Sequence, residues 1–337
     1  MSEQHEWGIG VIGLGFMGRT HIGAWAEAAR GGQPNRLVAV CDSDPERLTG
    51  KTEAAGNMGP GTDGGRLFDP QLVATYNDPR KFFEDPAVEL VSICTHTSSH
   101  VELACAALAA GRHVLVEKPV ALCPDEVQRL ADASRSAGRV CMPAMCLRFW
   151  PAWAWLRERI VDGSLGPVRS AVFRRVSAPP SWSPGFYRSS QQSGGALFDL
   201  HVHDADFVRW CFGAPDSVLA TGSLDHLTTF YRFAQGPDHV TAEGGWDHAA
   251  GFGFSMGYTV VFEGGTAVYL SGADPELRLI RGEEQEEVEV PGHDGYTGET
   301  MHLLAALNAG RDPEPTLDES VGLIAMLQQE RASLPRT

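Results

Sequence analysis

The segment VEKPVAL, residues 116–122, places an acid and a base side by side at the end of an apolar run. The run is typical of a buried strand, and Pro119 ends its hydrogen-bond ladder directly after Glu117 and Lys118. We therefore expect both side chains to face a ligand crevice. A lysine kept near a carboxylate in a partly dry cleft can polarise a carbonyl oxygen or move its proton. A structural ion pair at a strand end is the alternative.

A glycine-rich segment, GLGFMG at residues 13–18, follows the first apolar run and opens a helical stretch. This spacing is typical of a loop that holds a dinucleotide pyrophosphate at a helix N-terminus. The predicted contacts are Gly13, Gly15, Phe16, Met17 and Gly18. Asp42 ends the second apolar run, where a carboxylate can receive the ribose hydroxyls. Because that carboxylate would repel a 2′-phosphate, we predict NAD rather than NADP; an N-cap role for Asp42 is the alternative.

The segment THTSSH, residues 95–100, follows a later strand at the same predicted edge of the sheet. We interpret it as a polar loop that enters a helix and touches the nicotinamide ribose through Thr95, His96 and His100. His96 and His100 are four residues apart, and on one helix such a pair could instead hold a metal ion. We expect no metal here.

A second cluster of acids and imidazoles lies in GGALFDLHVHDADFVRWCFG, residues 194–213. Its apolar spacing predicts one helix that begins after the two glycines and carries Asp199, His203 and Asp206 on one face. There Asp199 could orient His203, which could take or give a hydroxyl proton. The alternative is a metal cluster, which a helix would scatter, so we again expect no metal. Its members would be Asp199, His201, His203, Asp204 and Asp206.

The elements that position these residues differ between the two parts of the chain. Residues 1–147 alternate Val/Ile-rich runs with helical stretches, which predicts a doubly wound parallel sheet in a dinucleotide-binding domain. Residues 148–337 contain runs that alternate apolar and polar residues, which predicts a second α/β domain with a mostly antiparallel sheet. The long irregular loop at 177–195 is typical of a binding segment.

Composition excludes several classes of protein. The formal charge of −16, from 27 basic and 43 acidic residues, would repel nucleic acid or an anionic membrane, and no polybasic run offsets it. No leader or long apolar run is visible, so we expect neither export nor anchoring. The seven cysteines form no CxxC pair, which predicts reduced core residues in a cytoplasmic protein.

Taken together, these motifs resemble the Gfo/Idh/MocA oxidoreductases, named for glucose-fructose oxidoreductase, inositol dehydrogenase and a rhizopine catabolism protein. The resemblance spans nearly the whole chain and includes GLGFMG with the following His21, EKPVAL, and the 194–213 segment. It implies an N-terminal Rossmann domain and a C-terminal α/β domain with a large open sheet, through which members form homodimers or homotetramers. It also implies reversible oxidation of a secondary alcohol on a sugar, a sugar derivative or a cyclic polyol.

The resemblance assigns roles to Lys118, the lysine of the EKP motif, and to Asp199 and His203, the acid and histidine of the second motif. Two residues depart from the family pattern. His201 replaces a common glycine and could add a polar group beside the site or simply mark a subgroup, while His96 replaces a common proline. Which of Lys118 and His203 is the main base stays open at this point.

Arg148 could contact the nicotinamide or substrate, or form a structural salt bridge. Flat aromatic faces suit a sugar ring, and the candidates are Trp182, Tyr187, Trp246 and Tyr296, although a single aromatic residue of this kind is more often part of a core or an interface. Two other functions stay open: a glycosidase that uses NAD transiently, and a dinucleotide-binding sensor without catalysis.

Overall fold

The structure is a computed structural model that describes residues 5–51, 66–181, 184–187, 189 and 193–335. The chain divides into two compact units. The first unit comprises Met1–Cys146 with Asp294–Val321, and the second comprises Leu147–His293 with Gly322–Thr337. Among the helices of the described residues, none is long and apolar enough to cross a membrane.

The first unit contains the predicted parallel sheet, with six strands in the order β3-β2-β1-β4-β5-β6. Every neighbouring pair runs parallel. The strands are β1 Trp7–Ile12, β2 Asn35–Cys41, β3 Ala74–Tyr76, β4 Leu90–Ile93, β5 His113–Glu117 and β6 Cys141–Ala144. The helices that connect them are α1 Phe16–Arg30, α2 Pro79–Glu84, α3 Thr97–Ala109 and α4 Pro124–Ala137.

The strand order explains where a ligand can bind in this unit. Strand β1 pairs with β2 on one side and with β4 on the other, so the chain reverses its winding direction between β1 and β4. In open α/β sheets, ligands bind outside the carboxyl ends of the strands at such a reversal. The predicted cofactor segments follow β1, β2, β4 and β5, and all four therefore meet at that edge.

The second unit contains the predicted mostly antiparallel sheet, with eight strands in the order β14-β13-β12-β11-β7-β10-β9-β8. Only β7 and β10 pair in parallel among its described strands. The strands are β7 Val168–Ser177, β8 Ser217–Gly222, β9 His226–Arg232, β10 His239–Gly245, β11 Phe254–Phe262, β12 Gly265–Leu270, β13 Leu277–Arg281 and β14 Glu284–Glu287. The helices from this point to the C-terminus are α5 Pro151–Asp162, α6 Pro184–Tyr187, α7 Gly195–Asp199, α8 Val202–Phe212, α9 Gly295–Asn308 and α10 Leu317–Ser333.

The two faces of this sheet differ, as alternation predicts. On the inner face Phe173 is fully buried, and Trp153 stacks on it with ring centroids 5.8 Å apart. Phe207 from α8 meets the edge of Trp153 at 4.8 Å. On the outer face Val172 and Phe230 are 42% and 46% exposed. An antiparallel sheet covered on one side produces this pattern.

Helix α9 belongs to the first unit although it follows the second in sequence. It packs against α1, where the Thr300 hydroxyl donates to the carbonyl of Ala24 at 3.4 Å. At the other end, the Trp7 indole N–H donates to Asn308 Oδ1 at 2.8 Å. The division after residue 146 lies next to the predicted boundary at 147/148, but these contacts separate Asp294–Val321 from the predicted second domain.

Candidate active site

The three glycines of GLGFMG have different structural roles. Gly13 has φ +87°, and a Cβ there would lie 2.7 Å from the carbonyl oxygen of Cys94. A Cβ at Gly18 would lie 1.9 Å from the carbonyl oxygen of Gly13. Both positions therefore need glycine for the protein's own packing. A Cβ at Gly15 would meet only the Arg47 guanidinium, at 3.9 Å, so the space beside Gly15 is open to a ligand.

The helix that follows is suited to an anion. Helix α1 begins at Phe16, directly after Gly15, which has no side chain to cap the first turn. That turn also contains no acidic residue. The N–H groups of a first helical turn, together with the helix dipole, attract phosphate. The predicted contacts of Phe16, Met17 and Gly18 with a pyrophosphate fit this local geometry.

Asp42 lies at the end of β2 and is connected to the glycine loop. Its Oδ2 accepts the N–H of Leu14 at 2.6 Å, its Oδ1 accepts the N–H of Asp44 at 2.8 Å, and Arg47 Nη1 lies 3.4 Å from Oδ2. The carboxylate therefore holds the loop in shape. Its contact with a ribose stays a prediction, and the carboxylate is placed beside the loop where that contact would form.

The loop after β4 is fastened to the loop after β5 by one buried imidazole. His100 Nε2 lies 2.9 Å from the carbonyl oxygen of Thr95, and Nδ1 lies 3.0 Å from that of Pro119. Burial lowers the pKa of His100, although both carbonyls favour the charged ring, so a neutral ring donates to one carbonyl at a time. His96 is exposed at the start of α3. Because both nitrogens of His100 contact main-chain carbonyl oxygens, His100 has no nitrogen left to share a metal ion with His96.

Glu117 and Lys118 differ in how deeply they are buried. Glu117 is buried and turned into the first unit, where its Oε1 accepts from His21 Nε2 at 2.8 Å and its Oε2 accepts the main-chain N–H of Lys118 at 3.1 Å. Lys118 is half-buried at the end of β5. The acid thus supports the strand end internally, and the predicted contact of Glu117 with a cofactor stays a prediction.

The prediction of one helix that begins after Gly194 and Gly195 and carries the rest of the segment is wrong. The segment forms two helices, α7 and α8, interrupted at Leu200 and His201, whose backbone angles nevertheless stay in the right-handed helical region. Asp199 ends the first helix and is half-buried, and His203 lies in the first turn of the second and is 9% exposed. Their catalytic roles stay predictions.

The residues of the alternative metal cluster in this segment bind other side chains instead. Asp204 accepts from Arg175 at 2.7 Å, while Asp206 receives both Nε and Nη2 of Arg148 at 2.7 Å. His201 Nε2 lies 2.9 Å from Glu330 Oε2 and 3.1 Å from the Tyr231 hydroxyl. Three candidate ligands are therefore directed at three different partners. Arg148 carries the structural salt bridge that the sequence left open, and its contact with a ligand stays a prediction.

The aromatic candidates separate in the structure. Tyr187 and Trp246 meet edge to face at 5.6 Å in the second unit, and the Trp246 indole N–H donates to Asp225 at 2.9 Å. Tyr296 is in α9, within the first unit. Trp182 lies outside the described residues.

One half-exposed histidine group was not predicted. His226 Nδ1 lies 2.6 Å from Asp247 Oδ1, and its Nε2 lies 3.1 Å from Glu243 Oε1. Burial lowers the pKa of His226, but these two hydrogen bonds outweigh it and raise the pKa above its ordinary value. Asp247, His226 and His248 are close enough to hold a metal ion, with ligand atoms within 4.8 Å of one another. Both His226 nitrogens already contact carboxylates, so ion pairs explain why these residues lie together without a metal ion.

Sequence reasoning also missed Glu299, which is fully buried in α9, 3.9 Å from His21 Nε2. A signal exists in the sequence. Glu299 shares a helical face with Leu303 and Ala306, both fully buried, so an acid occupies the apolar face of a helix. Its partner could not be inferred, because His21 is far away along the chain.

Two family models match the chain. One, described as "Oxidoreductase family, NAD-binding Rossmann fold", matches residues 7–145. The other, described as "GFO/IDH/MocA C-terminal domain", matches residues 153–284. The first match contains the glycine loop, Asp42, the Thr95 loop and Lys118. The second contains Asp199 and His203.

Individual relatives match only part of the chain, at about 30% identity. Myo-inositol 2-dehydrogenase of Thermotoga maritima is 31% identical over 217 residues, which is 64% of this chain and 58% of that protein. Levoglucosan dehydrogenase of Pseudarthrobacter phenanthrenivorans is 29% identical over 252 residues, 68% of this chain and 60% of that protein. The matched part thus spans less than two thirds of these relatives.

The fold is also similar to solved structures along nearly its full length. A levoglucosan dehydrogenase in complex with NADH and levoglucosan superposes with a TM-score of 0.81 at 21% identity, covering 98% of this chain and 97% of that one. At such low identity the similarity concerns the fold alone. With both domain models matched in order, the chain belongs to the Gfo/Idh/MocA family of oxidoreductases.

Proposed function

We propose that this protein is an NAD-dependent dehydrogenase that moves a hydride between the nicotinamide and a secondary alcohol of a sugar, a sugar derivative or a cyclic polyol. One observation supports this most. The glycine loop, Asp42, the Thr95 loop and Lys118 meet at one edge of the parallel sheet, in a chain of an oxidoreductase family. That edge offers a phosphate site and an amine in the same unit.

The residues present fit the cofactor. Gly15 and the first turn of α1 would hold the pyrophosphate, Asp42 the ribose of the adenosine half, and Thr95 and His96 the nicotinamide half. When bound, NAD supplies the acceptor for the hydride. The buried carboxylate of Asp42 favours NAD over NADP, because it would repel a 2′-phosphate.

The protein's part of the chemistry is proton transfer and charge stabilisation. We assign Lys118 to the substrate oxygen, where an ammonium stabilises negative charge that develops as the hydride leaves. We assign His203 to the hydroxyl proton, with Asp199 orienting the imidazole or binding substrate. These assignments follow the motif positions within the two matched domains.

The substrate class follows from the relatives. The names of the similar proteins include myo-inositol and levoglucosan, which are a cyclic polyol and an anhydrosugar. The test is a scan of NADH formation over inositols, aldoses, anhydrosugars, sugar acids and nucleotide sugars, with NADP in parallel. We expect turnover with at least one free polyol or sugar and a preference for NAD. NAD-dependent cleavage of a glycoside without net NADH would point to the glycosidase alternative instead.

We further propose a homodimer or homotetramer formed through the outer face of the eight-stranded sheet. Phe230, Thr241, Val172 and Thr259 are neighbours across four strands on that face. Leu219 and Leu270, 61% and 48% exposed, extend its apolar surface. Light scattering after size exclusion should show an oligomer that Phe230→Asp dissociates. Leu72→Asp, at an exposed apolar residue of the first unit, should not; a monomeric wild type would contradict the proposal.

We propose a cytoplasmic location. All seven cysteines are free thiols, and burial raises the pKa of Cys41 to about 12, which keeps that thiol protonated and unreactive. Such cysteines are typical of a reducing compartment. Fractionation of native cells should recover the protein with cytoplasmic markers; recovery in a secreted fraction would contradict this.

A further inference from the structure

A buried hydrogen-bonded chain lies behind Lys118, and we call it the His21 network: Trp25, Ser92, His21 and Glu117. The Trp25 indole N–H donates to Ser92 Oγ at 2.9 Å. Ser92 Oγ lies 3.2 Å from His21 Nδ1, and His21 Nε2 lies 2.8 Å from Glu117 Oε1. All four residues are buried, so the two groups between the indole and the carboxylate are shielded from water.

The donors and acceptors of the His21 network can all be matched with a neutral His21. Trp25 can only donate, so Ser92 accepts from it and is free to donate its own hydrogen to His21 Nδ1. His21 then donates from Nε2 to Glu117, whose second oxygen accepts the main-chain N–H of Lys118. Glu117 thus carries a negative charge that is stabilised by two N–H donors. One of these donors belongs to Lys118 itself.

A second carboxyl group provides an internal reference. Glu299 lies as deeply buried as Glu117 and 3.9 Å from the same imidazole nitrogen, yet within the described residues neither of its oxygens has a hydrogen-bond partner. Burial, with Glu117 and Asp294 nearby, raises the pKa of Glu299 well above its ordinary value. Burial also acts on Glu117, but the hydrogen bond from His21 and the positive charge of Lys118 lower its pKa. The two acids therefore differ in charge because only one has donors.

The charged and titratable groups around Glu117 in the first unit come from every neighbouring element. They are His21 on α1, Cys94 after β4, His100 on α3, Lys118 on its own strand end and Glu299 on α9. The attraction between Glu117 and Lys118 is mutual, so a carboxylate that is stabilised by the ammonium also stabilises the ammonium. The Glu117 end of this attraction is buried, where solvent screens it least.

We propose that Glu117, kept ionised by His21, is a positioning residue that fixes the main chain at Lys118 and holds the Lys118 amine in its charged form. This inference rests on the proposed role of Lys118 in the reaction. It gives the EKP acid a function inside the protein, away from the cofactor. Glu117 is thus a buried carboxylate that a neutral imidazole stabilises by a hydrogen bond, without a second charge beside it in the interior.

The test measures the charge of Lys118 without using turnover. The full-length protein is acetylated with trace acetic anhydride at pH 8, and the modified Lys118 peptide is quantified by mass spectrometry against Lys81, which is exposed on α2. Only the uncharged amine reacts. Glu117→Gln should raise the relative reactivity of Lys118 about tenfold, since the loss of one nearby opposite charge lowers the pKa of an amine by about one unit.

Glu299→Gln is the matched control. It makes the same chemical change in the same cluster, but it replaces a group that is already neutral, so Lys118 reactivity should change less than about twofold. Equal effects of the two variants, or no rise with Glu117→Gln, would overturn the proposal. Glu117→Gln has a way to stay folded, because His21 can switch its proton to Nδ1, accept from the new amide and donate to Ser92.

Two His21 variants provide a second, independent test, which can be carried out even if Glu117→Gln does not fold. His21→Leu removes the donor and should raise Lys118 reactivity as Glu117→Gln does, while His21→Gln keeps an N–H donor and should restore the wild-type value. Equal Lys118 reactivity in His21→Leu and His21→Gln would contradict the inference. If the wild-type protein showed no dehydrogenase turnover but the variants gave the predicted acetylation pattern, the proposed function would be wrong. The inference about the charge of Lys118 would still hold.

Discussion

Each unit buries a histidine against a glutamate, and the two pairs lead to different places. In the first unit, the His21 network ends at the main chain of the half-buried Lys118. In the second unit, His201 joins a closed cluster, which we call the His201 network: His201, Thr229, Tyr231 and Glu330. There Glu330 accepts from Thr229 at 2.8 Å and from Tyr231 at 3.2 Å, and all four residues are buried.

We interpret this difference as one between a group that only stabilises the fold and a group that also supports the proposed catalytic lysine. Burial raises the pKa of Tyr231 well above its ordinary value, with Glu330 adding to the effect, so its hydroxyl stays protonated as a donor. Every oxygen of Glu330 is thus occupied inside the protein. A buried His–Glu pair therefore says little about activity by itself. What distinguishes the His21 network is its link to the main chain of Lys118, at the edge of the sheet where we propose that the ligands bind.

The largest expected effect is at the end of the His21 network. Lys118→Ala should lower kcat by about 100-fold to 1,000-fold, because the transition state loses a charged donor at the substrate oxygen. The Kd for NADH, measured by fluorescence titration, should change less than about threefold. Lys81→Ala, at the exposed lysine of α2, is the matched control and should leave kcat unchanged. A Lys118→Ala enzyme with wild-type kcat would place both networks in the same structural class.

The closed network should respond in stability instead. Glu330→Ala leaves His201, Tyr231 and Thr229 without their shared acceptor, and we expect the free energy of unfolding to fall by about 3 kcal/mol. Denaturant unfolding measures this, with Gln329→Ala on the exposed side of α10 as the control. The kcat per folded molecule should stay within about twofold. A large loss of kcat with unchanged stability would show that the His201 network is not closed.

Two glycines sharpen the same contrast. Gly244→Ala would place a Cβ 2.7 Å from that of His201, and crowding the His201 network should cost about 1–3 kcal/mol of stability. Gly15→Ala has open space and an ordinary φ of −68°, so stability should change by less than about 0.5 kcal/mol. The methyl group would instead occupy the proposed pyrophosphate site and weaken NADH binding about tenfold or more. NADH affinity unchanged by Gly15→Ala would argue against that site.

The smallest effect should come from His226, which is only partly buried. Its folded-state pKa is raised, so its contribution to stability is fully present below about pH 6.5, the unfolded value, and is lost as the pH rises through the folded pKa. Because solvent screens its partners Asp247 and Glu243, His226→Gln should cost less than about 1 kcal/mol at pH 5.5 and close to nothing at pH 9. Unfolding curves at the two pH values test this; a larger loss at pH 9 would reverse the sign.

Much of the fold was predictable because it follows from local patterns. Val-rich runs predicted strands such as β5, whose observed end at Glu117 is where Pro119 was expected to stop the ladder. Alternation predicted β7 and β11 with one covered face. The positions of the glycine loop and Lys118 were predictable in the same way, since both lie at strand ends, which a local sequence pattern indicates.

Other features required contacts that no local pattern contains. The three-residue strand β3 is too short to have a period, and it exists because β2 offers it an edge. The helix break at Leu200 and His201 fits the capture of the His201 side chain by Glu330, 129 residues later. Alternation along a strand gives its two faces but not its neighbours, so the parallel pairing of β7 with β10 could not be inferred.

The sequence by itself predicted which residues could carry chemistry, and it placed the glycine loop, Asp42 and Lys118 at the ends of strands, because steric rules and periodicity act over a few neighbouring residues. Only the tertiary structure decided which of two equally buried acids is charged. Glu117 has an imidazole and a main-chain N–H within hydrogen-bond distance, whereas Glu299 has neither. The charge of a buried carboxyl depends on donors brought to it by distant segments, and that arrangement exists only once the chain has folded.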